Sequence, residues 1–309
     1  MNKKIIVTGA TGLIGIELCN ALVSRGDEVT IFSRNVESAK KILGDRFNYV
    51  KWDFKNPSEW QRSLLDNDAV IHLAGANLFA KRWTENYKKE ILESRYISTK
   101  NLIAGLKNSK SKVKIFICSS GVGFYGSRGD EILTESSNPG NDFIADVVRK
   151  WEGEAAEASA FGVRTAMLRQ GIVLSKKGGA LAKFLPPFNF FIGGALGNGK
   201  LFFPWIHIDD LVAIYLFILD NEKVSGAVNT VSPQTIRMKE FAKALGKVLK
   251  RPSLFNVPEF ALKIMLGEAA STILSSQRVI PQKLVDLGFK FKFENLEEAL
   301  TDLLKTKRA

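Results

Sequence analysis

The sequence predicts an α/β fold with a Rossmann-type, doubly wound parallel sheet and a smaller C-terminal α+β region. Two observations predict this fold. Short β-branched runs alternate with segments of helical periodicity through the first half of the chain, as in a parallel sheet with crossover helices. A glycine-rich turn also joins the first run to the first helical segment. The pattern changes after residue 170, where the second region begins.

The predicted elements of the first half follow from the spacing of apolar residues. Strands are predicted at residues 4–8, 28–32, 47–51, 69–73, 114–119 and 163–168, where β-branched residues form short apolar runs. Helices are predicted at residues 12–25, 36–43, 83–106 and 142–161. In the first helix, Leu13, Leu18 and Leu22 recur at helical spacing, and Gly26 suits the left-handed position just after its end.

Beyond residue 170, glycine-rich and proline-bearing segments separate shorter apolar runs, and functional loops concentrate in such material. Helices are predicted at residues 208–220, where Asp209 or Asp210 can cap the first turn, and at residues 237–249. Residues 252–304 have helical patterns around a turn at residues 287–289.

Composition favours an ordinary globular protein. The chain has 309 residues, of which 45% are hydrophobic and 25% charged, and these values exclude collagen-like, disordered and coiled-coil classes. Cys19 and Cys118 both lie in apolar runs, so neither a disulfide framework nor a paired-cysteine zinc site is expected. We find no signal-peptide pattern and no apolar stretch of membrane-spanning length, and we therefore expect a cytoplasmic location.

The chain is basic, with 44 lysines and arginines against 32 acidic residues and a net charge of +12. The lysines are spread along the sequence and interrupted by acids, and no recognition helix, zinc finger or RNA-binding motif accompanies them. We therefore expect a solvated lysine-rich surface, a small-molecule partner, no nucleic-acid or membrane partner, and a monomer or homodimer.

A glycine-rich segment follows the first predicted strand directly. We expect it to bind the pyrophosphate of a dinucleotide, since the unpaired N–H groups and the dipole of a helix N-terminus favour an anion. Glycines in this motif permit the tight turn, the approach of the phosphates and close packing of the helix on the strand. Its position between a strand and a helix distinguishes it from an ordinary turn. The segment comprises Thr8, Gly9, Ala10, Thr11, Gly12, Leu13, Ile14 and Gly15.

The end of the second strand predicts which dinucleotide binds. An acidic residue there would accept a hydrogen bond from the ribose 2′-OH of NAD, but this chain has Ser33 and Arg34. A guanidinium pairs with a 2′-phosphate that a carboxylate would repel, so NADP is the expected cofactor. The alternative for Arg34 is a solvated position at a strand end. Asp53, after the third strand, either accepts from the adenine amino group or caps the segment that follows.

These observations divide the chain into two parts. We expect an NADP-binding Rossmann domain over residues 1–170, to which segments within about residues 205–235 return. Residues 171–309 are expected to form mainly a substrate-binding region.

With these residues the chain resembles the short-chain dehydrogenase/reductase superfamily in its extended, epimerase-like branch. Leu73, Ala74 and Gly75 match the turn that lies along the cofactor, and residues 205–210 are similar to the histidine-aspartate segment of that branch. Other segments resemble an atypical subgroup of the NAD(P)-dependent epimerase/dehydratase family, the epimerase family proteins of SDR39U type. These segments are residues 33–34, 93–95, 121–126, 193–197 and 266–268. The resemblance implies NADP binding and a C-terminal family-specific region.

The chain departs from this family at its catalytic pair. Catalytic members have a tyrosine and a lysine four residues apart on the helix after strand five, and the ammonium lowers the pKa of the phenol so that it exchanges a proton. Aligning the tyrosine on Phe143 places Val147 at the lysine, and aligning it on Ile144 places Val148 there. The resemblance therefore implies cofactor binding with more force than it implies turnover.

Two hydroxyl residues are the candidate catalytic groups in place of that pair. Ser120 lies near the position of the family's carbonyl-orienting hydroxyl. Tyr125 would donate the proton if its loop turned it toward the nicotinamide, and its alternative is a residue of the pocket wall. His72 and His207 are expected to be structural, and no metal site is expected.

Arg169, at the end of the sixth predicted strand, is assigned to the cofactor site. With Arg95 and Lys183 it would also bind an anionic substrate, because α/β folds place ligands at this edge of the sheet. Surface salt bridges to Glu93 or Asp146 are the alternative. An aromatic cluster is expected to roof an apolar pocket, or else to belong to the core or to a subunit contact. It comprises Phe184, Phe188, Phe190, Phe191, Phe202, Phe203 and Trp205.

Two functions follow from this sequence. The first is an NADP-dependent oxidoreductase or nucleotide-sugar-epimerase-like activity on an unknown small molecule. The second, motivated by the missing tyrosine and lysine, is a non-catalytic NADP(H)-responsive regulator, since some relatives are labelled cell-division-inhibitor-like.

Overall fold

The chain is described over residues 2–53, 59–109 and 111–305 by a computed structural model. The strands are β1 (Lys4–Thr8), β2 (Glu28–Ser33), β3 (Asn48–Lys51), β4 (Ala69–His72), β5 (Ile115–Gly121), β6 (Ile132–Leu133), β7 (Arg164–Gln170), β8 (Ile172–Ser175), β9 (Trp205–His207), β10 (Gly226–Thr230) and β11 (Arg278–Val279). The helices are α1 (Leu13–Ser24), α2 (Val36–Leu43), α3 (Glu85–Asn108), α4 (Phe143–Ala156), α5 (Gly179–Asn189), α6 (Ile208–Asp220), α7 (Met238–Leu249), α8 (Glu259–Leu266), α9 (Ala270–Ile273), α10 (Gln282–Asp286) and α11 (Leu296–Lys305).

Seven parallel strands form the central sheet in the order β3-β2-β1-β4-β5-β7-β10. The predicted doubly wound fold class is thereby confirmed, and the six predicted strands correspond to β1 to β5 and β7. The edge strand β10 was not identified from the sequence, and its Gly226 pairs with Ala166 of β7. Two-stranded parallel pairs, β8 with β9 and β6 with β11, lie outside this sheet.

The strand order reverses between β1 and β4. Ligands of such sheets bind in the crevice beyond the C-terminal ends of the strands at this reversal. Thr8, the last residue of β1, pairs with His72, the last residue of β4. The loops that follow these two residues therefore form the walls of the expected crevice.

Helices cover both faces of the sheet because successive strand residues point to opposite sides. Ile5 and Val7 share a buried cluster with residues of α1 and α6, whereas Ile6 shares another with Leu102 of α3 and Trp151 of α4. Within the described ranges, no helix is long and apolar enough to cross a lipid bilayer.

A separate buried core unites the C-terminal helices. Phe188 of α5, Phe241 of α7 and Leu300 of α11 belong to one apolar cluster. The carboxylate of Asp210 in α6 accepts hydrogen bonds from the backbone N–H groups of Lys292 and Phe293, at 2.8 and 2.9 Å. These bonds fix the segment that precedes α11 to the first turn of α6.

Helices α1, α3 and α7 begin or end within two residues of the prediction, but two helices differ more from it. The segment predicted as one helix at residues 142–161 consists of α4 followed by a 3-10 turn at Glu157–Phe161, and the Asp142 carboxylate caps α4 by accepting from Ala145 N at 2.9 Å. Helix α5 was not predicted, because it contains Pro186 and Pro187 near its C-terminal end.

Candidate active site

A cleft of about 920 Å³ opens beyond the C-terminal ends of β1, β4 and β5. Part of its lining consists of glycine backbone and hydroxyl groups, from Gly9, Gly12, Gly75, Ser119 and Ser120. Apolar side chains from α4, α5, α8 and the segments 79–83 and 192–204 form much of the remaining lining, which also includes polar residues such as Asn77, Arg95, Asp142, Gln170 and Gln277.

Gly9 makes the close approach of two loops possible at the base of the cleft. Its φ is +66°, and a Cβ on it would lie 2.7 Å from the carbonyl carbon of Leu73 and 2.8 Å from the nitrogen of Ala74. A Cβ on Gly15 would lie 2.5 Å from the carbonyl oxygen of Gly9. The turn after β1, the turn after β4 and α1 therefore pack with no space for a side chain.

The N-terminus of α1 has the donors that a pyrophosphate needs. Gly12 is its N-cap, forms no side-chain cap and is exposed, and the first turn contains no acidic residue. First-turn N–H groups have no intrahelical acceptor, and the helix dipole adds positive potential. Thr11 is exposed beside Gly12, Leu13 and Ile14 are half-buried in the lining, and Ala10 is buried beneath them. These residues fit a dinucleotide phosphate group.

A buried relay of hydrogen bonds holds the two turns together. Thr8 Oγ1 accepts from the N–H groups of Leu73 and Ala74, both at 3.2 Å, and lies 2.7 Å from His72 Nδ1. Thr8 therefore donates its own proton to Nδ1, and the imidazole proton is on Nε2, 3.2 Å from Ser98 Oγ. Burial, with a smaller contribution from the charge of Arg95, lowers the pKa of His72 to about 3. His72 is a neutral structural residue, as its sequence position predicted.

Arg95 supports the loop at Gly75. Its Nη2 donates to Ala76 O at 3.0 Å and its Nη1 to Ile91 O at 3.1 Å, and its guanidinium lies 5.3 Å from the ring centre of Trp151. A Cβ on Gly75 would lie 3.1 Å from Arg95 Cζ. Burial lowers the pKa of Arg95 to about 10, which leaves it charged at neutral pH.

The end of β2 lies beside the glycine turn. Phe32 pairs with Thr8, so Ser33 and Arg34 are placed next to the residues that follow β1. Arg34 is exposed, and we find no ion pair for it within the described ranges. Ser33 Oγ donates to Asn35 O at 3.0 Å. Asp53 is exposed just after β3 and borders residues 54–58, which lie outside the described part of the chain.

Ser120 connects the cleft to a buried ion pair. Its Oγ donates to Glu152 Oε1 at 2.5 Å, and Arg169 donates to both Glu152 oxygens, through Nε at 2.9 Å and Nη2 at 2.8 Å. All three residues are buried. Ser120 lines the cleft, whereas neither Glu152 nor Arg169 is among the described lining residues.

Tyr125 does not reach the cleft, contrary to the sequence prediction. A 3-10 turn at Val122–Tyr125 directs it inward, where its hydroxyl lies 2.6 Å from Asn229 Oδ1 and accepts from Arg169 Nη1 at 3.0 Å. Burial raises the pKa of this hydroxyl. The structure therefore places both Tyr125 and Arg169 in a buried polar network, outside the described lining of the cleft.

The structure also places Lys183 and the two acids, Glu93 and Asp146, that were the alternative partners of the basic residues. Lys183 lines the cleft and is exposed, with its ammonium 5.6 Å from the ring centre of Phe79. The alternative salt bridges to Glu93 and Asp146 do not involve Arg95, Arg169 or Lys183. Glu93 lies 3.7 Å from Lys89, and Asp146 pairs with Arg149 and Lys150.

Apolar residues occupy the positions of the family's tyrosine and lysine. Phe143 and Ile144 line the cleft, and Val147 and Val148 are buried on the same helix. The ring of Phe143 lies 5.2 Å from that of Trp83. Neither alignment of the catalytic pair therefore brings an acid or a cation to this wall.

Glu152 and Gln170 are two polar residues that sequence reasoning missed. Glu152 follows Val148 by one helical turn, so helical spacing could have placed it on the face where the family has its lysine. Gln170 ends β7 and lines the cleft, and its Nε2 donates to Tyr215 Oη at 2.6 Å and to Ser119 Oγ at 3.1 Å. Its place at the C-terminal edge of the sheet was the available signal.

His207 caps α6 by accepting from Asp209 N at 3.0 Å through Nδ1. Its Nε2 lies 3.4 Å from an oxygen of Asp302, which ties α11 to α6. The potential ligand atoms of His207, Asp209 and Asp302 lie within 4.8 Å of one another, a spacing that a metal ion could bridge. None of the three is among the described residues that line the cleft.

Comparison with known families gives two matches along the chain. Residues 5–230 match the model of the NAD dependent epimerase/dehydratase family, and residues 257–303 match a domain of unknown function. The first match covers the strands of the central sheet apart from Lys4 at the start of β1, and the second begins just before α8.

Similar proteins extend over nearly the whole chain. The Arabidopsis thaliana protein "Epimerase family protein SDR39U1 homolog, chloroplastic" is 37% identical over 301 residues, which cover 97% of this chain and 86% of that protein. An epimerase family protein of Staphylococcus haemolyticus is 37% identical over 304 residues, covering 98% and 99%. The crystal structure of human epimerase family protein SDR39U1 with NADPH is 32% identical and superposes with a TM-score of 0.87, covering 98% of this chain and 99% of the human one.

Proposed function

The chain belongs to the NAD dependent epimerase/dehydratase family, and we propose that it binds NADP(H) and exchanges hydride with a small molecule in the adjoining cleft. The observation that carries this proposal is Arg34, an exposed guanidinium beside the glycine turn where an NAD-binding protein would have an acid. The human relative crystallised with NADPH supports the same cofactor.

Three parts of this chain would hold the cofactor. The uncapped N-terminus of α1 would bind the pyrophosphate, and Arg34, with the Ser33 hydroxyl beside it, would pair with the 2′-phosphate. The loop from Leu73 to Gly75, fixed by His72 and Arg95, would lie along the ring that reacts. When bound, NADP(H) supplies or accepts a hydride at the nicotinamide.

Ser120 provides a path for the accompanying proton. During alcohol oxidation, Ser120 Oγ would accept the substrate's hydroxyl proton while its own proton passes to Glu152 Oε1, 2.5 Å away. Carbonyl reduction runs the same two transfers in reverse. Ser120 is therefore the proposed catalytic residue, and Glu152 would hold the proton beside Arg169, a role that the apolar side chains of Phe143, Ile144, Val147 and Val148 cannot take.

Thermal unfolding with NADP, with NAD and without ligand tests the cofactor assignment. A ligand that binds the folded state alone stabilises it by RT ln(1 + [L]/Kd), so we expect a larger increase in the unfolding temperature with NADP than with NAD. Arg34→Ala should lower the NADP increase to the NAD level. Arg149→Ala, which removes an exposed arginine from α4, is the matched control and should leave it unchanged. Equal increases from both cofactors in the unaltered protein would contradict the assignment.

A non-catalytic NADP(H)-responsive regulator is the second candidate, and the apolar side chains at Phe143 and Ile144 favour it. The two candidates differ in a direct assay. Partner capture that depends on NADPH, together with background NADPH oxidation over a broad carbonyl panel, would support the regulator. Turnover of a specific substrate would exclude it.

A further inference from the structure

We infer that the cleft takes an apolar, uncharged carbonyl compound or its alcohol and not a nucleotide sugar. This inference rests on the proposed function, since it names the substrate class for the same cleft. Reduction would move a hydride from NADPH to the carbonyl carbon and a proton through Ser120 to the carbonyl oxygen. The products are the alcohol and NADP⁺, so the atoms and electrons balance.

Large apolar side chains line the part of the cleft that would face the substrate. Trp83, Phe143, Phe184, Leu201, Leu262 and Met265 come from five separate segments, and all of them line the cleft. Surfaces of this kind bind ligands mainly by removing apolar area from water. Against these side chains, a sugar ring with several hydroxyls would lose hydrogen bonds to water.

The described lining of the cleft has few positive charges with which to bind the diphosphate of a nucleotide sugar. A diphosphate needs cations or clustered N–H groups. Among the described lining residues the cations are Arg95 and Lys183, and Arg95 already donates to Ala76 O and Ile91 O. Lys183 is exposed above the ring of Phe79. These two groups do not form a second diphosphate site.

The N-terminus of α5 belongs to the cofactor side and not to the substrate side. A Cβ on Gly179, its first residue, would lie 3.2 Å from Leu13 Cδ2, and a Cβ on Gly178 would lie 3.5 Å from Leu13 Cδ1. The N–H groups at this helix end therefore adjoin the glycine turn. They do not supply an anion site among the apolar side chains.

The rim of the cleft has exposed apolar side chains. Ile192 and Met265 line the cleft although they are 58% and 68% exposed, so the route from solvent is itself apolar. Phe255 adjoins this rim through its N–H, which donates to Gly193 O at 3.2 Å, and it is also exposed. A continuous apolar path from the surface to the interior suits a ligand that leaves water readily.

The cleft also has polar lining residues, among them Asn77, Asp142, Gln170 and two hydroxyl residues that would contact the oxygen of such a ligand. Thr272 Oγ1 and Ser275 Oγ lie in residues that line the cleft, and neither has a hydrogen-bond partner within the described structure. An unpaired buried hydroxyl is unfavourable, and a single oxygen on the ligand would pair it.

Titration of the NADPH-saturated protein with alcohols tests this inference, because an alcohol and NADPH form a complex that cannot react. We expect 1-decanol, or another member of a panel of aliphatic, terpenoid and aryl alcohols, to bind, and UDP-glucose not to bind. Met265→Glu should weaken alcohol binding at least tenfold. The control is Ile264→Glu, which adds the same charge at the neighbouring position of α8. The Ile264 side chain is 69% exposed and is not among the described lining residues of the cleft, so this substitution should leave alcohol binding unchanged.

Binding of UDP-glucose, failure of the whole alcohol panel, or equal effects of the two glutamates would overturn the inference. NADPH binding is measured first, by the increase in unfolding temperature. Loss of that increase would refute the proposed function itself. Retained NADPH binding with no alcohol bound would refute the substrate class alone.

Discussion

Ser120 is the residue on which turnover depends in this site. Ser120→Ala removes the hydroxyl that joins the cleft to Glu152 and leaves the Glu152–Arg169 ion pair in place. We expect kcat/KM for NADPH oxidation to fall about 100-fold or more, within the usual contribution of a proton-transferring group. Steady-state kinetics with the best substrate of a carbonyl panel measures the loss.

The neighbouring hydroxyl provides the control for that substitution. Ser119 also lines the cleft, but its Oγ lies 3.0 Å from Tyr215 Oη and 3.1 Å from Gln170 Nε2 and makes no contact with Glu152 in the described structure. Ser119→Ala should leave kcat near its original value, and both variants should keep the NADPH-induced rise in unfolding temperature. Equal rates for Ser120→Ala and the unaltered protein would exclude Ser120 from the proton path.

His72 gives the stability of the protein a pH dependence below neutrality. Its pKa falls from 6.5 to about 3 on folding because of burial. Between these two values the unfolded chain binds a proton that the folded chain does not, so the contribution is complete above pH 6.5 and is lost as the pH falls toward 3. The slope approaches about 1.4 kcal/mol per pH unit.

Urea unfolding at several pH values between 7.5 and 5 would measure this effect. His72→Asn keeps an acceptor for Thr8 and removes the titration, so the stability difference between the two proteins should change with pH. The comparison cancels the contributions of all other titrating groups, which are present in both proteins. A difference that stays constant across this range would show that His72 is not the titrating group.

At the scale of elements, the first half of the fold could be predicted because local signals and tertiary structure agree there. Strand β1 and helix α2 begin and end where the apolar runs predicted, and so does α6 in the second half. Helix α5 could not be predicted, since proline lacks an N–H donor and favours a helix boundary. In the structure the carbonyls of Pro186 and Pro187 accept from Phe190 N and Ile192 N at 3.0 Å, which satisfies the end of this helix.

The site was predictable to a smaller extent than the fold. Its glycine turn follows from local backbone requirements, which a sequence displays directly. The burial of Tyr125 and Arg169 depends on Glu152 and Asn229, which approach them only through tertiary packing. Strand β10 could not be predicted for the same reason. Its short segment Gly226–Thr230 is defined by pairing with β7 and not by its own apolar pattern.

At the scale of the whole molecule, the C-terminal segment is part of the stable fold. Phe293, Leu296, Leu300 and Leu303 are buried against α5 and α7. At about 1.5–3 kcal/mol for each large side chain, their burial contributes roughly 6–12 kcal/mol, which is comparable to the net stability of a typical domain. A chain that stops at residue 256 should therefore lose its cooperative unfolding transition.

Circular dichroism melting and limited proteolysis would compare that truncated chain with the full one. Leu300→Ala in the full chain is the graded control, with an expected cost of about 2–5 kcal/mol and a retained transition. A truncated chain that unfolds cooperatively at the original temperature would show that residues 257–309 are dispensable for folding.

The packing of α11 on α7 also has a consequence at the ribosome. The apolar side of α7 emerges first, and the helix that covers it, α11, is completed more than fifty residues later. At 5–20 residues per second this delay lasts roughly 3–10 s. The nascent chain therefore spends seconds with an uncovered apolar surface, and slower translation of the last fifty residues lengthens this exposure.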